Sequence, residues 1–248
     1  MDFLGLDTAF FLAVAQIVMI DILLGGDNAV VIALACRRLP EAQRSKAIFW
    51  GVAGAIGIRI VLIFFALQLL ALPYLKVVGA GLLLWIGIKL LLPEDDDDHG
   101  SVAAGESLFA AVRTVMLADV VMSLDNVIAV AGAAKGDLGL VVLGILISIP
   151  IVVWGSRFVL RLMDRFPVVI TLGGALLGWI AGEMAITDRA VAGHFFADGV
   201  AAAYKYAAAA TGAALVILVG KWLAARRARS AEPVEIDLEA QPPTDRRS

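Results

Sequence analysis

The residues best able to do chemistry in this chain stand where side chains suited to lipid are expected. The stretch DILLGGDNAVVIA (21–33) sets Asp21, Asp27 and Asn28 inside an apolar run. A second stretch, DVVMSLDN (119–126), carries Asp119, Asp125 and Asn126 at the same spacing, offset by 98 residues. Each copy reads Asp-x5-Asp-Asn. An aspartate at the centre of a bilayer costs about 2.5–3.5 kcal/mol on insertion scales, so a pattern that appears twice at this cost is read as a functional site. Four carboxylates cannot stay ionised together in low dielectric unless they bind cations, pair with bases or take up protons. Carboxylate, amide and carbonyl oxygens make a hard ligand set suited to Mg²⁺, Ca²⁺ or Mn²⁺. The histidines, His99 and His194, and the single cysteine, Cys36, lie outside both motifs. That excludes a soft thiolate site and disfavours zinc or copper.

The flanking sequence repeats as well. GIRIVL (57–62) matches GSRFVL (155–160) at the same offset, aligning Arg59 with Arg157. With four residues removed, PYLKVVGAGLLLWIGIK (73–89) meets PVVITLGGALLGWIAGE (167–183), pairing Trp85 with Trp179 and Lys89 with Glu183. Setting Asp21, Asp27, Asp119, Asp125 and Glu183 against Arg59, Arg157 and Lys89 leaves two negative charges, which one divalent cation would neutralise. For the two arginines, interhelical pairing and a role in the site stand as equal readings. Lys89 and Glu183 read first as structural pairing or interface anchors. Gly51, Gly54, Gly57, Gly79, Gly81, Gly173 and Gly174 read as close-packing contacts between helices, and Trp85 and Trp179 as packing or belt residues.

The elements that must position these residues are membrane helices. Of the 248 residues 61% are hydrophobic, with a mean hydropathy of +0.91, more apolar surface than a soluble domain of this size hides. The apolar runs have spanning length, and they place seven helices at about 8–35, 46–70, 74–92, 107–134, 138–162, 168–187 and 200–223. Arg37, Arg38, Arg44 and Lys46, then Arg161 and Arg165, then Arg226, Arg227 and Arg229 fall on one side of that threading. The positive-inside rule makes that side cytoplasmic, with the N-terminus outside and the C-terminus inside. Three helices per repeat is an odd number, so the second copy enters from the opposite face. This is a 3+3 inverted-topology repeat plus one extra helix, an all-α polytopic architecture that puts substrate near the midplane. The divisions are a first repeat (1–92), an acidic linker (93–106), a second repeat (107–187), an external loop with the seventh helix (188–223) and a disordered cytoplasmic tail (224–248). The PEDDDDHG linker reads as solvated. The start MDFLGLDTAF lacks the basic segment of a cleaved signal peptide.

Gly25-Gly26 lies between the aspartates of helix one, where a break would be cheap; Ser123-Leu124 in helix four signals one less clearly. In an unbroken helix Asp21 and Asn28 share a face, as do Asp119 and Asn126, while Asp27 and Asp125 are rotated by about 100°. Local unwinding would bring all three side chains of a copy to one cavity.

The motifs GGDNAVVIALA, GIRIVL, LLLWIGIKLL, SLDNVIAVA, WGSRFVLRLMDRFP and GGALLGWIAGEMAITD, in this order, make the chain resemble the TerC family of integral membrane proteins, and within it the YjbE-type subfamily described as metal transporters. The resemblance runs over about residues 8–223. It implies a seven-helix fold related to the LysE-type exporter superfamily, a link to manganese efflux and to tellurium resistance, and paired aspartate motifs that fall on Asp21, Asp27, Asn28, Asp119, Asp125 and Asn126. The expectation is an exporter of a divalent cation, Mn²⁺ first, in the bacterial cytoplasmic (inner) membrane. Its partners are the bilayer, the metal and a proton or sodium counter-ion, with no nucleic acid, no cofactor and no enzymatic activity; the oligomeric state stays open. One alternative is a non-transport subunit that loads metal or serves tellurite resistance. A remote one is an intramembrane aspartyl protease, disfavoured because Leu24 stands where the first glycine of that motif belongs.

Overall fold

The computed structural model describes residues 8–65, 68–69, 72–92, 104–133, 138–196 and 199–230. The side chains of Asp21, Asp125 and Asn126 lie outside that description, as do most of the acidic linker and residues 231–248 of the tail. The described residues form α1 (Thr8–Cys36), α2 (Glu41–Phe64), α3 (Leu75–Leu91), α4 (Ala104–Ala133), α5 (Leu138–Arg165), α6 (Val168–Ile186), α7 (Arg189–Phe195) and α8 (Ala202–Ser230), with no strand among them. Four segments are long and apolar enough to cross a membrane: Glu41–Phe64, Val142–Arg165, Val168–Ile186 and Ala202–Arg227. Large apolar side chains such as Val78, Phe109, Trp154 and Leu218 lie exposed, which suits a lipid exterior and not water.

α2 ends at Phe64, six residues short of the expected 70, and three further departures from the sequence reading each have a local reason. α2 starts at Glu41 instead of 46. Pro40 presets the entry backbone, and the Glu41 carboxylate favours the positive helix end. α8 runs on to Ser230 through its arginines, with Arg226 stacked 3.9 Å over the Trp222 ring one turn earlier. The connection between α6 and α8 contains the short α7, which Asp188 caps. α1 and α4 are both continuous helices through their motifs. The break at Gly25-Gly26 does not occur: Gly26 is exposed, a Cβ there would touch nothing within 4 Å, and the intrahelical bonds are kept. Two glycines cost a helix only about 1 kcal/mol each, too little to unwind it.

The most extensive packing pairs are α6 with α8, α1 with α5, α2 with α4, and α3 with α6. Exchanging each helix of the first repeat for its counterpart in the second turns α1–α5 into α4–α2 and leaves α3–α6 unchanged, so the packing follows the repeat. α8 breaks the pattern by lying against α6 and α3. Its approach to α6 is backbone to backbone. A Cβ on Gly178 would lie 2.4 Å from the Gly212 carbonyl oxygen, and one on Gly182 would lie 2.1 Å from that of Ala208. Gly51, Gly54, Gly79, Gly173 and Gly174 do make close interhelical contacts, whereas Gly57 and Gly81 face open space, against the sequence reading.

The arginines between α1 and α2 and at the start of α2 close one end of the bundle. Arg37 donates to the Leu90 carbonyl at 2.8 Å and Arg38 to that of Leu92, satisfying carbonyls at the negative end of α3. Arg44 reaches Asp164 at 3.0 Å, tying α2 to the end of α5.

At the other end, Asp188 is 1% exposed and accepts from Ala190 N at 2.8 Å, Tyr74 N at 3.1 Å and Lys76 N at 3.0 Å. One carboxylate thus caps both α7 and the start of α3. Burial pushes its pKa up, but the backbone N–H donors outweigh this and hold it below the ordinary 3.8. A lowered folded-state pKa makes the contribution complete above the unfolded value and lost as pH falls through the folded one. Asp188→Ala is therefore expected to cost about 1–3 kcal/mol at neutral pH. The gap to wild type in thermal unfolding should close as pH drops below about 4. A gap independent of pH would contradict the assignment.

Candidate functional site

The site grows from three helix faces. On α2, Gly51, Ala55 and Arg59 recur at one-turn spacing, and the first two are small enough for α4 to come close: a Cβ on Gly51 would meet Val115 at 3.1 Å. On α4 the facing row is Val115, Asp119 and Ser123 at the same spacing. The close approach therefore delivers Arg59 to Asp119 and Ser123. On α1, Asn28, Val31 and Ile32 share a face turned to the same place.

The result is a buried polar network. An Arg59 Nη donates to Asp119 Oδ1, and Arg59 Nε donates to Ser123 Oγ at 3.1 Å. Ser123 Oγ donates to Asp119 Oδ2 at 3.2 Å, and Asn28 Nδ2 donates to Asp119 Oδ1 at 3.0 Å. Asn28, Arg59 and Asp119 are 6, 7 and 7% exposed and Ser123 is fully buried. Two acceptors remain without a partner, Asn28 Oδ1 and Asp27 Oδ1. An unsatisfied buried oxygen is costly and marks a place where a cation or water is wanted. Beside the network lies a cavity of about 30 Å³, lined by Asn28, Arg59 and Asp119 and by apolar residues of α1, α2, α4 and α5. That is room for one or two water-sized bodies and not for an ion with its full hydration shell. Ser148 of α5 also lines it, two residues before Pro150. Proline has no N–H, so the Leu146 carbonyl lacks its usual helical donor.

Of the sequence-identified residues, the structure brings Asn28 and Arg59, both from the first repeat, to Asp119 of the second motif. Asp27 is half-buried and one register step away, as an unbroken helix requires. Among the described residues no three His, Cys, Asp or Glu side chains form a metal-ligand cluster, and Asp21, Asp125 and Asn126 fall outside that description. The charge tally does not hold. Arg157, Lys89 and Glu183 are exposed and none lines this cavity. Lys89 instead lies 5.0 Å over the ring of Trp85, its neighbour one turn back. Ser123 and Ser148 were not singled out by sequence reasoning. For Ser123 a signal existed, since it sits one turn from Asp119 inside the repeated motif.

Residues 6–228 match the family described as Integral membrane protein TerC. The uncharacterized membrane protein YjbE of Bacillus subtilis (strain 168) is 44% identical over 180 residues, 73% of this chain and 82% of that protein. The uncharacterized membrane protein YceF of the same organism is 29% identical over 180 residues, 69% of this chain and 70% of the relative. The inner membrane protein YgdQ of Escherichia coli (strain K12) is 25% identical over 187 residues, 69% and 78%. No solved structure matches. With most of its length matched and a 44% identical relative, the chain belongs to the integral membrane protein TerC family.

Proposed function

We propose that the protein exports a divalent metal cation, Mn²⁺ first, across the bacterial inner membrane through a site shared by the two Asp-x5-Asp-Asn motifs. The observation that carries this reading is an unpartnered buried oxygen, Asn28 Oδ1, on a residue lining a cavity sized for a dehydrated ion, with a second, Asp27 Oδ1, on the adjacent residue. Both are hard acceptors, and a bare Mn²⁺ or Mg²⁺ wants such ligands. Asp21, Asp125 and Asn126 supply the further oxygens in this reading. The exchange of packing pairs between the repeats supports a 3+3 inverted arrangement, and the basic residues after helices one, five and seven of the sequence favour the N-terminus outside and the C-terminus in the cytoplasm. Rocking of one repeat against the other then exposes the site to each side in turn. Proton or sodium exchange drives the cycle, and protonation of the carboxylates expels the metal.

Reconstituted liposomes test this directly. Purified protein should move Mn²⁺ with no other protein present, and Asp27→Asn or Asp125→Asn should reduce the rate at least about tenfold with yield and elution profile unchanged. Full transport in both variants would sink the site. A protein that binds Mn²⁺ without moving it would favour the accessory, metal-loading role.

A further inference from the structure

Asp119 is the most heavily engaged group in the site. Arg59, Asn28 and Ser123 all donate to it, and Arg59 holds it by a buried ion pair while also gripping Ser123. The free acceptors belong to its neighbours, Asn28 and Asp27. A divalent cation settling against Asn28 Oδ1 would lie beside a guanidinium already bound to the nearest carboxylate. Two cations sharing one buried carboxylate repel each other strongly.

We propose that Arg59 is a tethered counter-cation, which holds Asp119 while the site is empty and is displaced from it when a divalent cation enters. The inference rests on the reading of this place as a cation site and adds how that site is kept charged and ready. In the empty state the guanidinium supplies the positive charge that Asp119 needs in low dielectric, so this carboxylate needs no proton. Entry of the cation releases Asp119 as a ligand. Because the competitor is covalently attached, cargo binds only to the fraction of molecules in which Arg59 has let go, and apparent affinity falls by that fraction. Release is favoured for the same reason, which suits a transporter that must give up its cargo.

The test is Mn²⁺ titration of the full-length protein in lipid nanodiscs, with free Mn²⁺ read from its solution EPR signal. Arg59→Gln should bind about tenfold more tightly or better, since the competitor is gone. Arg59→Lys should tighten binding by less, because an ammonium competes as a point charge but cannot hold Asp119 and Ser123 together. In the double variant Arg59→Gln/Asp119→Asn the gain should vanish, as the released ligand is missing. Equal or weaker binding by Arg59→Gln, with wild type binding Mn²⁺, overturns the inference and leaves the cation site standing. If Arg59→Gln does not fold, Arg59→Lys decides on the same criterion. Absence of Mn²⁺ binding in wild type and every variant removes the cation site itself and the inference with it.

Discussion

Gly178→Val is expected to remove the folded protein from solution after detergent extraction, with a loss of about 3 kcal/mol or more. Its Cβ would sit 2.4 Å from the carbonyl oxygen of Gly212, and the next atoms in line are also backbone. A flexible neighbour could yield a few tenths of an ångström, but a helix backbone can yield only if the whole helix moves. Shifting α8 would forfeit the long α6–α8 contact that holds it. In lipid, helix association depends on such close packing, because the hydrophobic effect gives little drive. Gly212→Val should fail likewise, from the opposite side. Gly57→Ala and Gly81→Ala, where nothing lies within 4 Å of the added carbon, should stay within about 0.5 kcal/mol of wild type. Monodispersity on size exclusion and the thermal midpoint report all four. A well-folded Gly178→Val protein would contradict the seam.

The second large effect concerns the buried pair. Asp119→Ala should destabilise by about 3–5 kcal/mol, because it strands the Arg59 guanidinium away from water. It also leaves the Asn28 amide and the Ser123 hydroxyl without their acceptor. Removing both charges, as in Arg59→Leu/Asp119→Leu, should recover much of the loss, since a buried ion pair against apolar replacements is often near break-even. A double-mutant cycle on chemical unfolding in detergent measures the coupling, expected at about 2 kcal/mol or more. Additive single effects would show that the two groups do not depend on each other. Asp188→Ala should cost less, and its effect should fade in acid.

Much of this arrangement is legible in the sequence. Apolar runs mark the long helices, and the repeated Asp-x5-Asp-Asn motif picks out Asn28 and Asp119, which the structure joins by a hydrogen bond. The motif could not tell which arginine enters. Arg59 and Arg157 occupy matching positions, but Arg59 has Ser123 to receive its Nε, while the residue matching Ser123 in the first repeat is Gly25, with no hydroxyl to offer. One residue of difference accompanies the burial of Arg59 and the exposure of Arg157. Glycine roles were equally hidden. Gly57 and Gly178 look alike in sequence, and only the partner helix decides whether a side chain is tolerated. The alanine-rich start of α8 gave no sign that Ala208 and Gly212 meet α6. Asp188 reads as a loop acid, because its donors Tyr74 and Lys76 lie more than a hundred residues away.

The glycine seam also limits how the bundle can change shape. Where Gly178 meets Gly212 and Gly182 meets Ala208, no side chain stands between the two helices that could re-pack and let one slide over the other. α8 lies against α3 as well, and α3 against α6, so these three helices behave as one rigid block. Any motion within the protein is expected to fall at the contacts that α1, α2, α4 and α5 make with that block, and not inside it.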